Sequence, residues 1–181
     1  MSNFRQTIAA LVWLALALCG AGAQAAPVAD MPRAAVLKAF CAPDGDKAAA
    51  LTQLVALGVS AAKPADRAWA RQIVEAMRNG ALSCTADARA TIQGTPPLDA
   101  LTLQPATDAT ANPADTPYVP GILMMRKLSV ASAEIDLFAP QRDTRDAAAR
   151  QVDKFFTLLD PAVVARAIRQ EHDPDIATTL T

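Results

Sequence analysis

Apolar residues recur at helical spacing over most of the chain that follows residue 30. Steps of three and four residues between apolar side chains place them on one face of a helix. Such stripes are formed by Val36, Leu37 and Phe40; Leu51, Leu54 and Val55; Trp69, Ile73, Val74 and Met77; Met125, Leu128, Ser132, Ile135 and Phe138; Ala148, Val152, Phe155, Phe156 and Leu159; and Val163, Val164, Ala167 and Ile168. The pattern therefore predicts a series of short amphipathic helices.

Turn and capping residues divide this series into its separate helices. Asp46 and the pairs Asp160-Pro161 and Asp173-Pro174 are typical helix starts, and Thr144 is a fourth candidate cap. The segments 46–58 and 64–80 each end at a glycine and together predict a helical hairpin, the unit from which α-solenoids are built. We therefore expect an all-α fold of HEAT-like helical hairpins, a fragment of an α-solenoid.

Residues 81–120 differ from this helical pattern. The short segments 81–85 and 89–93 could pair as a small β-hairpin insert, although their alternation of apolar and polar residues is imperfect. Residues 94–120 are rich in proline, threonine and aspartate, which is typical of an extended loop. The predicted organisation is thus a leader at 1–25, a helical hairpin region at 26–80, a β-hairpin and loop at 81–120, and HEAT-like helices at 121–181.

The first 25 residues have the pattern of a signal peptide. Arg5 supplies the positive start, Ile8–Cys19 is an apolar core, and small residues around Ala25 offer a cleavage site. The alternative is an uncleaved membrane anchor, for which the apolar stretch is shorter than the ~20 residues that a span needs. We expect an exported, periplasmic protein, or one associated with the inner membrane if the leader is retained.

Export changes the interpretation of the two cysteines that follow the leader. Cys41 and Cys84 would lie in an oxidising compartment, where thiols often form disulfides. The sequence leaves two alternatives open, a disulfide that closes a loop of about forty residues or two separate buried thiols.

Composition and motifs give little support to chemistry on a substrate. The formal net charge of −1 comes without a basic run, which argues against a nucleic-acid partner. The single histidine, His172, lies in a polar segment, and no metal-binding, nucleophile or phosphate-loop motif is present in the sequence. We therefore predict no catalytic, cofactor-binding or metal-binding residue. Trp69, Phe155 and Phe156 are assigned to the core.

Four basic residues are the candidates for contact with a partner protein. They are Arg126, Lys127, Arg142 and Arg145, all on predicted helices or at their starts. The simpler interpretation is that they are solvated charges on helix surfaces, because charged side chains on amphipathic helices usually face water. The alternative is that they bind a partner protein.

Several segments carry a resemblance to a known family. They are residues 46–80, 98–102, 125–140, 143–149, 159–164 and 170–174, including the run Met125-Arg126-Lys127-Leu128. In this order they resemble the periplasmic N-terminal extension of the urea ABC transporter permease UrtB. The resemblance implies a signal sequence, a helical hairpin, a small strand-rich insert and HEAT-like helices.

The same resemblance implies a role in urea transport by protein contact, with transporter subunits or a solute-binding protein as partners and membrane contact only through the transporter. The chain departs from the family at Gly121–Met124, where the family has an Asn-Asn pair, and the membrane-spanning permease does not follow within these 181 residues. We expect either a fragment or truncated product, or a separate subunit. The alternative function is a free-standing periplasmic HEAT-like scaffold or binding protein without a transport role.

Overall fold

The computed structural model describes residues 31–60, 63–85, 87, 89–106 and 115–181. The predicted leader and its cleavage site lie outside the described residues and stay predictions. Within the described ranges, no helix combines the length and the apolar character that crossing a bilayer requires. Residues 31–181 form one compact unit.

Seven helices and four short strands are found in the described residues. The helices are α1 (Met31–Cys41), α2 (Lys47–Gly58), α3 (Pro64–Arg78), α4 (Ile122–Asp136), α5 (Arg142–Phe155), α6 (Pro161–Gln170) and α7 (Pro174–Thr179). The strands are β1 (Leu82–Cys84), β2 (Ala90–Ile92), β3 (Leu98–Asp99) and β4 (Thr116–Pro117). The four strands lie between α3 and α4 in the chain.

Aspartate side chains begin three of the helices, as the sequence predicts. Asp46 accepts hydrogen bonds from the backbone N–H groups two and three residues further on, at 3.1 and 2.9 Å. Asp173 makes the same pair of bonds, and Asp160 makes the first of them. These bonds satisfy N–H groups that have no acceptor within the helix. The prediction that Thr144 caps α5 is wrong, because that helix already begins at Arg142.

The strands form one antiparallel sheet in the order β3-β2-β1-β4. The predicted hairpin is present as β1 and β2, with Ser83 opposite Thr91. The segment predicted as a loop supplies both outer strands, since β3 pairs with β2 and β4 pairs with β1. The prediction of an all-α, HEAT-like solenoid fragment is therefore wrong. Strands of two or three residues are too short to show a clear alternation of apolar and polar positions, which explains the error.

Two hydrophobic cores lie on either side of α4. The first contains apolar residues of α1, α2, α3, the sheet and one side of α4, including Leu128 and Ile135. The second contains the other side of α4 together with α5, α6 and α7, and Val130 and Ala133 belong to it. Because α4 contributes buried residues to both, it fixes the two halves of the fold relative to each other.

Trp69 lies at the centre of the first core, as predicted. Its side chain is fully buried, and its Nε1–H donates a 2.7 Å hydrogen bond to the carbonyl oxygen of Ala100. Arg33 lies over the indole ring at 5.3 Å and forms a 2.6 Å ion pair with the buried Asp66. These contacts connect α1, α3 and the end of β3. The matching prediction for Phe156 is wrong, since 74% of this residue is exposed.

The two cysteines of the described region are joined. The Sγ atoms of Cys41 and Cys84 lie 2.02 Å apart, and the Cα atoms 5.4 Å apart. The bond connects the last residue of α1 to the last residue of β1, 43 positions further along the chain. It therefore links the first helix to the small sheet.

Replacing both Cys41 and Cys84 by serine is expected to lower the free energy of unfolding by about 3–4 kcal/mol. A disulfide restricts the unfolded chain, and this effect increases with the length of the closed loop. Urea unfolding of the variant and of the oxidised wild-type protein measures the difference. A variant as stable as the wild-type protein would show that the bond does not constrain the unfolded chain.

Gly58 lets α2 pack closely against α4. A Cβ atom at this position would lie 2.5 Å from Cγ1 of Ile135, which is inside van der Waals contact. At Gly121, by contrast, a Cβ atom would meet no atom of the described residues within 4 Å.

We expect Gly58→Ala to destabilise the protein, because overpacking a core costs about 1–3 kcal/mol. Alanine is more favourable than glycine by ~1 kcal/mol inside a helix, and by less at the last helical residue. We therefore expect the cost of overpacking to outweigh this gain. Gly121→Ala is the matched control and should shift the midpoint of urea unfolding only slightly. Equal midpoints for the two variants would contradict the close approach.

Candidate functional site

An open groove of about 680 Å³ lies between α2, α4 and the start of α6. It is lined by Ala48, Leu51, Thr52, Val55, Ala56 and Val59; by Leu123, Arg126, Lys127, Val130, Ala131 and Glu134; and by Leu158, Leu159, Asp160, Val163 and Arg166. Most of these side chains are apolar. We call this feature the α2–α4–α6 groove, and it is the best candidate for a binding site in the described region.

Small and branched aliphatic residues form the apolar lining of the groove. Val59, Val130 and Val163 are buried members of the second core, so the lining rests on a fixed framework. Leu123 and Leu158 remain 78% and 44% exposed. Exposed leucines beside a concave apolar surface are typical of a surface that another molecule covers.

Three basic side chains lie along the groove. Arg126 and Lys127 are exposed residues of α4, and the ion pairs found among the described residues do not include either of them. Arg166 is partly buried, and its guanidinium group lies 5.3 Å from the centre of the Phe138 ring. The structure thus brings the predicted contact residues Arg126 and Lys127 together at this groove.

A buried carboxyl group, Glu134, is among the residues that line the groove. Its Oε1 atom accepts a 2.7 Å hydrogen bond from the backbone N–H of Asp160, which holds the start of α6 against α4. Burial raises the pKa of Glu134, the hydrogen bond from Asp160 N–H lowers it in part, and the charge of Asp160 raises it further. The groove therefore contains one acidic group whose charged form is disfavoured.

The other two predicted contact residues lie away from the groove and bind within the chain. Arg142 forms a 2.7 Å ion pair with Asp173, and Arg145 forms a 2.8 Å ion pair with Glu171. Arg145 also donates hydrogen bonds to the carbonyl oxygens of Ala139 and the following proline, both at 3.1 Å. Both arginines therefore hold the end of α6 and the start of α7 against α5.

These ion pairs change the acidity of their carboxylates. The hydrogen bond from Arg145 lowers the pKa of Glu171, and the hydrogen bond from Arg142 lowers the pKa of Asp173. His172 lies between the two carboxylates in the chain and is exposed. The described residues contain no group of three histidine, cysteine, aspartate or glutamate side chains placed to hold a metal ion. The arrangement offers a binding surface, and the prediction of a non-catalytic protein stays a prediction.

Sequence reasoning missed most of the groove. Leu123 follows Ile122 at the start of α4, ahead of the helical stripe that begins at Met125, and this excess of apolar residues was a signal for an exposed patch. Glu134 interrupts an apolar run on α4, which was a signal for a buried carboxyl group. The helical stripe that ends at Leu159 leaves out Leu158, and Leu158 is the more exposed of the two. Only the tertiary structure shows that it lines the groove.

Comparison of the chain with protein-family models, with curated protein sequences and with solved structures finds no significant match. The resemblance to the urea permease extension therefore stays a prediction. The case for a function rests on the geometry of the α2–α4–α6 groove.

The stability of the Glu134→Gln variant relative to the wild-type protein is expected to increase as the pH rises. Since burial raises the folded-state pKa of Glu134, its protonated form contributes stability below the unfolded pKa of about 4.3. That contribution is lost as the pH rises through the folded-state pKa. Glutamine can still accept the hydrogen bond from Asp160 and does not ionise.

Urea unfolding of wild type and Glu134→Gln over a pH series from acid to neutral measures this difference. Asp153→Asn, which removes an exposed carboxyl group outside the groove, is the control. A wild-type protein that gains stability relative to Glu134→Gln towards neutral pH would contradict the assignment.

Proposed function

We propose that this chain is a non-catalytic domain that binds another protein in the α2–α4–α6 groove. The observation that carries the proposal is the groove itself, an open apolar concavity with two exposed leucines on a fixed framework. Covering exposed apolar surface of this kind is the main driving force of protein association. The binding partner would therefore bury Leu158 and the part of Leu123 that lines the groove.

The shape and charge of the groove favour an amphipathic helix with acidic residues beside its apolar face. The lining residues run from Ala48 in α2 to Val59, just after the end of that helix, and from Leu123 to Glu134 in α4. Each span is about three turns or ~16 Å long. The cations Arg126, Lys127 and Arg166 lie along it, whereas Glu134 is buried and Asp160 is used as a helix cap. The apolar face of the partner's helix would fill the groove, and the carboxylates beside that face would pair with the three basic side chains.

The system in which this binding takes place is proposed from the resemblance described above. We propose that the protein is exported and supports a urea-type ABC importer by contact with a transporter subunit or the solute-binding protein. A free-standing periplasmic scaffold is the second candidate, and it is favoured by the compact unit at 31–181, which contains both cores. Urea uptake by cells that lack the protein separates the two, because only the first requires uptake to fall.

Ala56→Gln is expected to weaken binding to the protein partner by about tenfold or more, because the longer side chain would occupy the groove. Ala56 is exposed and lines the groove, so the fold should tolerate the change. Capture of importer components from solubilised membranes by the immobilised domain, followed by titration of the captured component, measures the effect.

Ala147→Gln is the matched control, since Ala147 is an exposed residue of α5 outside the groove. Equal affinity of the two variants would exclude the groove as the binding surface. Failure to capture any importer component, together with unchanged urea uptake in cells without the protein, would exclude the transport role.

A further inference from the structure

A second apolar feature protrudes from the fold just before and at the start of α4. Val119, Ile122 and Leu123 are 81%, 90% and 78% exposed, which is unusually high for three aliphatic residues within five positions. Between them, a Cβ atom added to Gly121 would meet nothing within 4 Å in the part of the chain that the structure describes. Residues 119–123 therefore form a convex apolar tip, whereas the neighbouring groove is concave.

Basic residues follow the tip after one helical turn. Arg126 and Lys127 lie four residues after Ile122 and Leu123, which places them one turn further along α4. The sequence has no acidic residue between Thr116 and Ala133. Residues 119–127 thus combine exposed aliphatic side chains with two positive charges. No carboxylate within this segment offsets those charges.

We propose that the tip at residues 119–123 inserts into the surface of an anionic lipid bilayer. Exposed aliphatic side chains gain free energy when they enter the boundary between headgroups and acyl chains, and basic residues beside them are attracted to anionic headgroups. A convex tip fits this environment, because a bilayer surface deforms around a protruding side chain. A protein partner would instead need a matching pocket.

This contact is separate from the protein binding proposed above, and it differs from the expectation that the membrane is reached only through a transporter. Leu123 belongs to the tip and also lines the groove, so the two surfaces adjoin. A segment of a membrane protein bound in the groove would therefore lie close to the bilayer that the tip enters. The lipid contact requires no partner and is tested without one.

Co-sedimentation of the protein with lipid vesicles tests the proposal. The chain without residues 1–25 is used, because the apolar stretch of the leader would bind lipid by itself. We expect it to sediment with vesicles that contain phosphatidylglycerol and to bind about tenfold less to vesicles of phosphatidylcholine alone, since these do not attract the basic residues. The double variant Ile122→Ser/Leu123→Ser is expected to lose about tenfold or more of the binding, since two aliphatic side chains no longer enter the bilayer.

Two further variants serve as controls and separate the two parts of the tip. Phe156→Ser removes an exposed apolar side chain elsewhere and should bind vesicles as the wild-type protein does. Arg126→Gln/Lys127→Gln should lose the preference for phosphatidylglycerol, whereas Lys154→Gln, at an exposed lysine of α5, should keep it.

Three outcomes would overturn the proposal. They are failure of the wild-type protein to bind phosphatidylglycerol vesicles, equal binding to both kinds of vesicle, and unchanged binding of the Ile122→Ser/Leu123→Ser variant. Loss of capture of a protein partner by this variant, in a protein that binds no vesicles, would assign the tip to protein contact instead.

Discussion

Helix α4 lies between two hydrophobic cores, and the rest of the structure depends on its fit there. One side of the helix contributes Leu128 and Ile135 to the core of α1–α3 and the sheet, and the other side contributes Val130 to the core of α5–α7. An amphipathic surface helix needs one apolar stripe, whereas a helix shared by two cores must be apolar on two sides. The close approach at Gly58 then fixes how α2 lies beside it.

The groove is a consequence of this arrangement. Helices α2, α4 and α6 meet at buried valines, but small residues such as Ala48, Ala56 and Ala131 leave the space above them unfilled. Glu134 keeps the start of α6 in position through its bond to Asp160, and Arg145 holds the end of the same helix through Glu171. Polar contacts thus hold both ends of α6, whose first residues form one side of the groove.

The groove and the tip are the two surfaces on which the proposed contacts with protein and with lipid rest. Both features include Leu123, and both have Arg126 and Lys127 beside them. A concave apolar surface with basic residues suits an acidic amphipathic helix, and a convex apolar tip suits a bilayer. The importer proposal rests on the sequence resemblance and the lipid contact rests on the tip, so each can fail without the other.

The sequence by itself determined where most helices begin and which faces of α1, α2 and α3 are buried. Caps such as Asp46 and stripes such as the one around Trp69 act within one or two helical turns, so local residues are enough to reveal them. The tertiary structure alone decided the two outer strands of the sheet, because β3 and β4 are two residues long and are held only by pairing with β2 and β1. The tertiary structure also decided which basic residues are used within the chain: Arg142 and Arg145 form ion pairs, whereas Arg126 and Lys127 line a groove. The position of a charge relative to another helix depends on how the helices pack, and this packing leaves no local pattern in the sequence.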